Sequence, residues 1–110
     1  MEEIRTYSEL NDRIHGEKYL LVFLSSMECS VCHADLQTAE KLVERLTFPA
    51  ISVNVAEIPE AAGQLSVFAG PTVLLFNKGR EYHRQSRFID FQVLEGRMNE
   101  LSGQDAPFTC

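Results

Sequence analysis

A length of 110 residues suits one domain, and 45 % apolar residues are enough for a core without covalent staples. A charged fraction of 24 % is ordinary for a globular domain, and a formal net charge of −6 at pH 7 excludes the basic face that nucleic acids and anionic membranes select. The start, Met1-Glu2-Glu3-Ile4-Arg5, is acidic with no apolar run behind it, and the apolar run Tyr19–Leu24 is far too short to span a bilayer. No secretory signal and a cytoplasmic location are therefore expected.

Glu3 to Arg5 reads as a short edge strand. Thr6-Tyr7-Ser8-Glu9 then fits a capping box that opens a helix, with Leu10 and Ile14 on one face and Gly16 as its stop. Tyr19 to Leu24 is a continuous apolar run bounded by Gly16 and Ser25-Ser26, the pattern of a strand covered on both faces. A helix begins near Ser30, where Cys32, Leu36, Ala39, Val43 and Leu46 form one apolar stripe that Pro49 ends. Ala50 to Val55 is a second buried-type strand. Pro59 suits the first turn of a third helix with Ala62, Leu65 and Phe68 inward.

Gly70-Pro71 breaks the chain before a strand over Thr72–Phe76. Asn77-Lys78-Gly79-Arg80 is a hairpin turn, and Glu81 to Ser86 pairs back. Asp90 caps a last helix with Phe91, Leu94, Met98 and Leu101 on one face. The order β-α-β-α-β-α-β-β-α predicts an α/β fold: a mixed central sheet with helices on both faces, parallel except for one hairpin pair. Nothing divides the chain, so a single domain over 1–110 is expected, with Ser102 to Cys110 as a tail.

The chain holds three cysteines, Cys29, Cys32 and Cys110. Cys29-Ser30-Val31-Cys32 follows a buried strand and opens a helix. A disulfide needs its two Cα atoms within about 7 Å, which a C-x-x-C pair at a helix start meets. Cys29 falls before or at the first turn and is exposed; Cys32 falls on the apolar stripe and is buried. Free N–H groups and the helix dipole favour an anion there, lowering the Cys29 thiol below its free pKa of about 8.5. Its thiolate is the nucleophile, and Cys32 resolves the mixed disulfide from behind. Two inert buried cysteines would suit Cys32 but not Cys29.

At these residues the chain resembles the thioredoxin family over roughly residues 1–101. The resemblance rests on Cys29-Ser-Val-Cys32 after Tyr19–Leu24, on Gly70-Pro71-Thr72 before Val73–Phe76, and on Asn77-Lys78-Gly79 closing the hairpin. It implies a thioredoxin-like fold and a thiol–disulfide oxidoreductase that reduces protein disulfides as a monomer without a bound cofactor or metal. A thioredoxin-reductase-like flavoprotein or a glutathione-based donor would recharge it. It also implies a cis Gly70–Pro71 bond facing the cysteines, with Gly70 pairing to an extended substrate segment; a trans bond there would weigh against that geometry.

The chain departs from the family in three respects. It has no Trp, and Met27-Glu28 precedes the first cysteine. Ser30-Val31 is none of the family's usual intervening pairs. The place of the family's buried acid is Phe23, and that of its lysine partner is Ser52. His33, four residues after Cys29, could share the side of the first turn and lower the Cys29 pKa if protonated, while Glu28 would oppose it.

Rival readings remain. Cys29-Ser-Val-Cys32-His33 matches haem attachment, which goes with export and a helical fold. Cys29, Cys32 and His33 could begin a zinc site completed by Cys110, His83 or His15, although structural zinc sites show two paired clusters. A non-catalytic adaptor could dock partners through the Gly70-Pro71 surface. Cys110 reads as an exposed thiol, and Arg80, Arg84 and Arg87 read as a solvated face able to steer acidic partners.

Overall fold

The computed structural model describes residues 1–25, 30–67 and 70–103, with the side chains of Ser30 and Val31 left aside. In chain order the elements are β1 (Glu2–Ile4), α1 (Tyr7–Gly16), β2 (Tyr19–Ser25), α2 (Ser30–Leu46), β3 (Ala50–Asn54), α3 (Pro59–Gln64), β4 (Thr72–Asn77), β5 (Arg80–Ser86) and α4 (Phe91–Ser102). The five strands form one mixed sheet in the order β1-β3-β2-β4-β5.

β1, β3 and β2 are parallel, while β4 is antiparallel to both β2 and β5. The expectation of a single antiparallel pair is thus corrected, and α3 supplies the reason. A six-residue helix rises only about 9 Å, whereas a parallel return must carry the chain back along a strand of about 17 Å. The chain therefore re-enters the sheet at the end where β3 leaves it.

Alternation along β2 and β4 divides the core in two. Leu20, Val22, Leu24, Leu74 and Phe76 pack with Leu10 and Ile14 of α1 and Ala61 of α3. Leu21, Phe23, Val73 and Leu75 pack with Ala39, Leu42 and Val43 of α2 and Leu94 and Met98 of α4. Both faces of the central strands are covered, which is why they read as unbroken apolar runs.

The helix starts follow their local chemistry. Thr6 Oγ1 accepts from the Glu9 N–H at 3.2 Å, and Glu9 reaches back to accept from the Arg5 N–H rather than from Thr6. Asp90 accepts from the N–H groups of Gln92 and Val93. The ends differ more from expectation. α1 does stop at Gly16, but the cap is Glu17, with ordinary negative φ, rather than a left-handed glycine. In α3 the fully buried alanine is Ala61, not Ala62, and Phe68 lies outside the described residues. Ser102 belongs to α4 and Gly103, at φ +72, caps it, so the expected tail starts too early; 104–110 lie outside the described residues.

α2 ends in a Schellman motif built without glycine. The Phe48 N–H donates to Val43 O at 2.9 Å and the Thr47 N–H to Glu44 O at 3.3 Å, with Thr47 at φ +53. A β-branched residue in the left-handed region is strained by about 1 kcal/mol or more. Thr47 is exposed, so its side chain has little packing to lose. Thr47→Gly is accordingly expected to stabilise the fold by about 1 kcal/mol, raising the denaturant midpoint with an unchanged slope. A lowered midpoint would show that the threonine conformation carries no such cost.

The hairpin matches its sequence signature. Lys78 and Gly79 both have positive φ, at 54° and 83°, the two-residue turn that twisted strands prefer. On the β5 side a register shift beside Leu75 and Phe76 leaves Tyr82 as an extra residue. Among the described residues no helix is long and apolar enough to cross a membrane.

Candidate functional site

Sheet register assembles the site. Leu24 of β2 faces Thr72 of β4, and Thr72 faces Ser86 of β5. The end of β2, the start of β4 and the end of β5 therefore share one edge, spanned by two strand spacings of about 4.8 Å each. From this edge the chain passes into the first turn of α2, which carries Cys32. Gly70-Pro71 enters β4 at the same edge, and Arg87-Phe88 leaves β5 there.

Cys32 is 3 % exposed, on the stripe it shares with Ala39, Val43 and Leu46. It is disulfide-bonded. The other two cysteines, Cys29 and Cys110, lie outside the described residues, as does the expected nucleophile position with them. His33 is exposed, its Nε2 3.4 Å from Gln37 Nε2. Its relation to Cys29 also lies outside the described residues.

Gly70–Pro71 departs from expectation: no peptide bond among the described residues is cis. The turn into β4 is made instead by Gly70, at φ +53, where a Cβ would sit 3.4 Å from Arg87 Cα. The Arg87 N–H donates to Pro71 O at 2.8 Å, so that carbonyl is already taken. The trans bond weighs against substrate docking in the manner the resemblance implied. Thr72, fully buried, donates its hydroxyl to Ser86 Oγ at 3.3 Å and ties β4 to β5 at this edge.

Phe23, where the family's acid would be, is 0 % exposed and stands in register with Ser52 of β3. No carboxylate occupies that place. A different carboxyl lies nearby in sequence: Asp35, three residues after Cys32 on the same flank of α2, is half-buried, and burial pushes its pKa up. It has no hydrogen-bond or ion-pair partner among the described residues. Because the folded chain favours its protonated form, ionising Asp35 costs stability. That cost is absent below the unfolded carboxyl pKa and grows as pH rises through the raised folded value. Asp35→Asn should then raise the melting temperature near neutral pH, with the gain vanishing in acid. A gain that persists in acid would point to a cause other than charge burial.

The arginine run separates into unlike parts. Arg84 is held by Glu81 at 2.8 Å and donates to Leu65 O and Ser66 O at the end of α3, so it is a structural clasp rather than a solvated charge. Arg80 sits at the opposite end of β5. Arg87 is exposed and has no carboxylate partner among the described residues. Beside it Phe88 is 88 % exposed. Apolar patterning had no place for this loop; an aromatic stranded between a strand end and a helix cap was the signal.

Among the described residues the histidines named for a metal site do not gather, and Cys29 and Cys110 lie outside those residues. His15 packs against Gly79 at the far end of the sheet, and His83 lies on β5 against Gln85. Among the described residues no three His, Cys, Asp or Glu side chains come together. A five-stranded sheet is not a helical haem enclosure. A groove between α2 and α4, lined by Thr38, Leu42 and Phe91 and bridged by Arg45 and Glu95 at 2.7 Å, starts at Thr38, about 9 Å further along the helix than Cys32.

No family model matches the chain. The thioredoxin-like protein YdfQ of Bacillus subtilis (strain 168) is 31 % identical over 104 residues, covering 92 % of this chain and 91 % of that protein. Among solved structures, Plasmodium falciparum thioredoxin superposes with a TM-score of 0.81 at 16 % identity, covering 88 % of this chain and 96 % of the other. Fasciola hepatica thioredoxin gives a TM-score of 0.79 at 24 % identity over the same shares, 88 % and 96 %. At those identities the two structures speak to the fold alone.

Proposed function

This chain belongs to the thioredoxin family, and from that membership we propose that it is a thiol–disulfide oxidoreductase that reduces protein disulfides through a Cys29/Cys32 dithiol. The observation that carries the reading is Cys32: buried, disulfide-bonded, in the first turn of α2 at the edge where three strands end. Spacing makes Cys29 its partner, since a C-x-x-C pair across a helix start lies within disulfide reach.

The chemistry balances without a bound cofactor. The Cys29 thiolate attacks one sulfur of a substrate disulfide, forming a mixed disulfide and releasing the other substrate sulfur as a thiolate that takes a proton. The Cys32 thiolate then attacks Cys29 Sγ. The mixed disulfide breaks, the substrate leaves as a dithiol, and Cys29–Cys32 closes. Two electrons have passed to the substrate, and a thioredoxin-reductase-like flavoprotein or a glutathione-based donor returns them. A dithiol that must be reduced to act fits a reducing compartment such as the cytoplasm.

Insulin reduction followed by turbidity tests the reading, with wild type compared with Cys29→Ser. Activity in wild type and none in the variant supports it. A wild type with neither activity nor a measurable dithiol–disulfide equilibrium sinks it. The exposed Phe88 beside Pro71 keeps an adaptor in view as the second reading. A chain lacking both cysteines would still bind its partner if it were one.

A further inference from the structure

We propose that Arg87 and Phe88 form a docking clasp selecting disulfide-bearing polypeptide segments that carry an acidic residue next to an apolar one. The proposal rests on the oxidoreductase reading and names the class of substrate that reading leaves open.

Placement is the first argument. The register row Leu24–Thr72–Ser86 puts the loop after β5 at the edge from which the chain enters the Cys32 turn. The loop is fixed there: the Arg87 N–H donates to Pro71 O at 2.8 Å, and the Phe88 N–H donates to Ser86 O at 2.9 Å. A segment docked at the end of the sheet where β2 leads toward α2 meets the exposed loop after β5.

Chemistry is the second. At 88 % exposure Phe88 is the most exposed of the large apolar side chains described. An aromatic held outward on a fixed loop offers contact area at little entropic cost to a partner that covers it. Arg87 is a cation without a carboxylate partner among the described residues, on a chain of net charge −6. The nearest acid in sequence, Asp90, spends its carboxylate on the N–H groups of Gln92 and Val93, where the helix terminus offsets its charge. Among the described residues no carboxylate takes this cation, and an acidic side chain of a partner is its complement. The other arginines of the run do not compete: Arg84 is occupied by Glu81, and Arg80 is at the far end of β5.

The test uses prereduced full-length chain and two synthetic peptides with the same intrapeptide disulfide and the same leucine neighbour, one flanked by glutamates and one by lysines. Second-order rate constants are read by acid quench and mass analysis. Neutral bis(2-hydroxyethyl) disulfide serves as a probe too small to reach the loop. Wild type should reduce the glutamate peptide about three- to fivefold faster at low salt, the size of one exposed charge contact, and the ratio should approach one in strong salt. Arg87→Glu should invert the preference and Arg87→Gln abolish it. Phe88→Ala should slow both peptides about fivefold or more. A wild type that reduces the small disulfide but shows a ratio near one overturns the clasp and leaves the oxidoreductase standing. So does an unchanged ratio in Arg87→Glu whose circular dichroism matches wild type. A wild type that reduces neither peptide nor the small disulfide removes the reading underneath, and the clasp with it.

Discussion

Cys32→Ser is expected to yield a chain that attacks a substrate disulfide once and then stops. Cys29 can still form the mixed disulfide, but the thiol that would displace the substrate is gone. Multiple turnover should fall on the order of a thousandfold or more, as when an essential reacting group is removed. Mass analysis of the intact protein should find it covalently joined to substrate through Cys29, whereas Cys29→Ser should give no adduct. The asymmetry follows from burial, since Cys32, 3 % exposed, cannot meet a bulky disulfide directly. Equal adduct yields from the two variants would mean that exposure does not divide the roles. The serine hydroxyl needs a partner in that buried place or costs about 1–3 kcal/mol, so far-ultraviolet dichroism should accompany the assay.

Phe23→Ala should be the most damaging change in the core. Phe23 is 0 % exposed, between Ser52 and Val73 in the sheet and among Ala39, Leu42, Leu94 and Met98 from α2 and α4. Removing a buried phenyl ring costs about 3–5 kcal/mol through lost transfer energy and the cavity left behind. That is a large share of the roughly 5–15 kcal/mol by which domains are stable. The variant should melt more than about 10 °C lower. A change within a few degrees would mean that α2 and α4 close over the gap. The same packing explains why an acid is absent here: a carboxylate in this place would sit among aliphatic side chains with Ser52 as its cross-strand neighbour.

Much of the architecture was legible because local signals and tertiary packing agree. The Thr6 cap, the Asp90 cap, the Lys78-Gly79 turn and the doubly covered strands each appear where their residues put them. The direction of β4 was not legible. It depends on how far α3 travels, and six residues of helix followed by an irregular stretch leave no periodic mark. α2 stops at Leu46, the last residue of its apolar stripe, whereas the end of α3 was obscured because Ser66 holds a left-handed conformation usually given to glycine. At the site, the burial of Cys32 followed from the helical stripe. The expected cis Gly70–Pro71 bond came from the family resemblance alone, against the ordinary preference for trans, and the bond is trans.

The outer side of β5 has a consequence for how the protein behaves in a crowded solution. A strand on the margin of a sheet offers free amide and carbonyl groups to any extended chain, the starting point of fibrous growth. Here the margin carries Arg80, Glu81 and Arg84, and the extra residue Tyr82 breaks the even spacing of backbone groups that a foreign strand would have to match. An incoming strand would have to strip water from Arg80 and displace the Glu81–Arg84 pair to add to the sheet. The opposite margin, β1, is three residues long and offers little template. The sheet thus resists being extended by its neighbours at both sides, while past the end of β5 the exposed Arg87 and Phe88 face solvent.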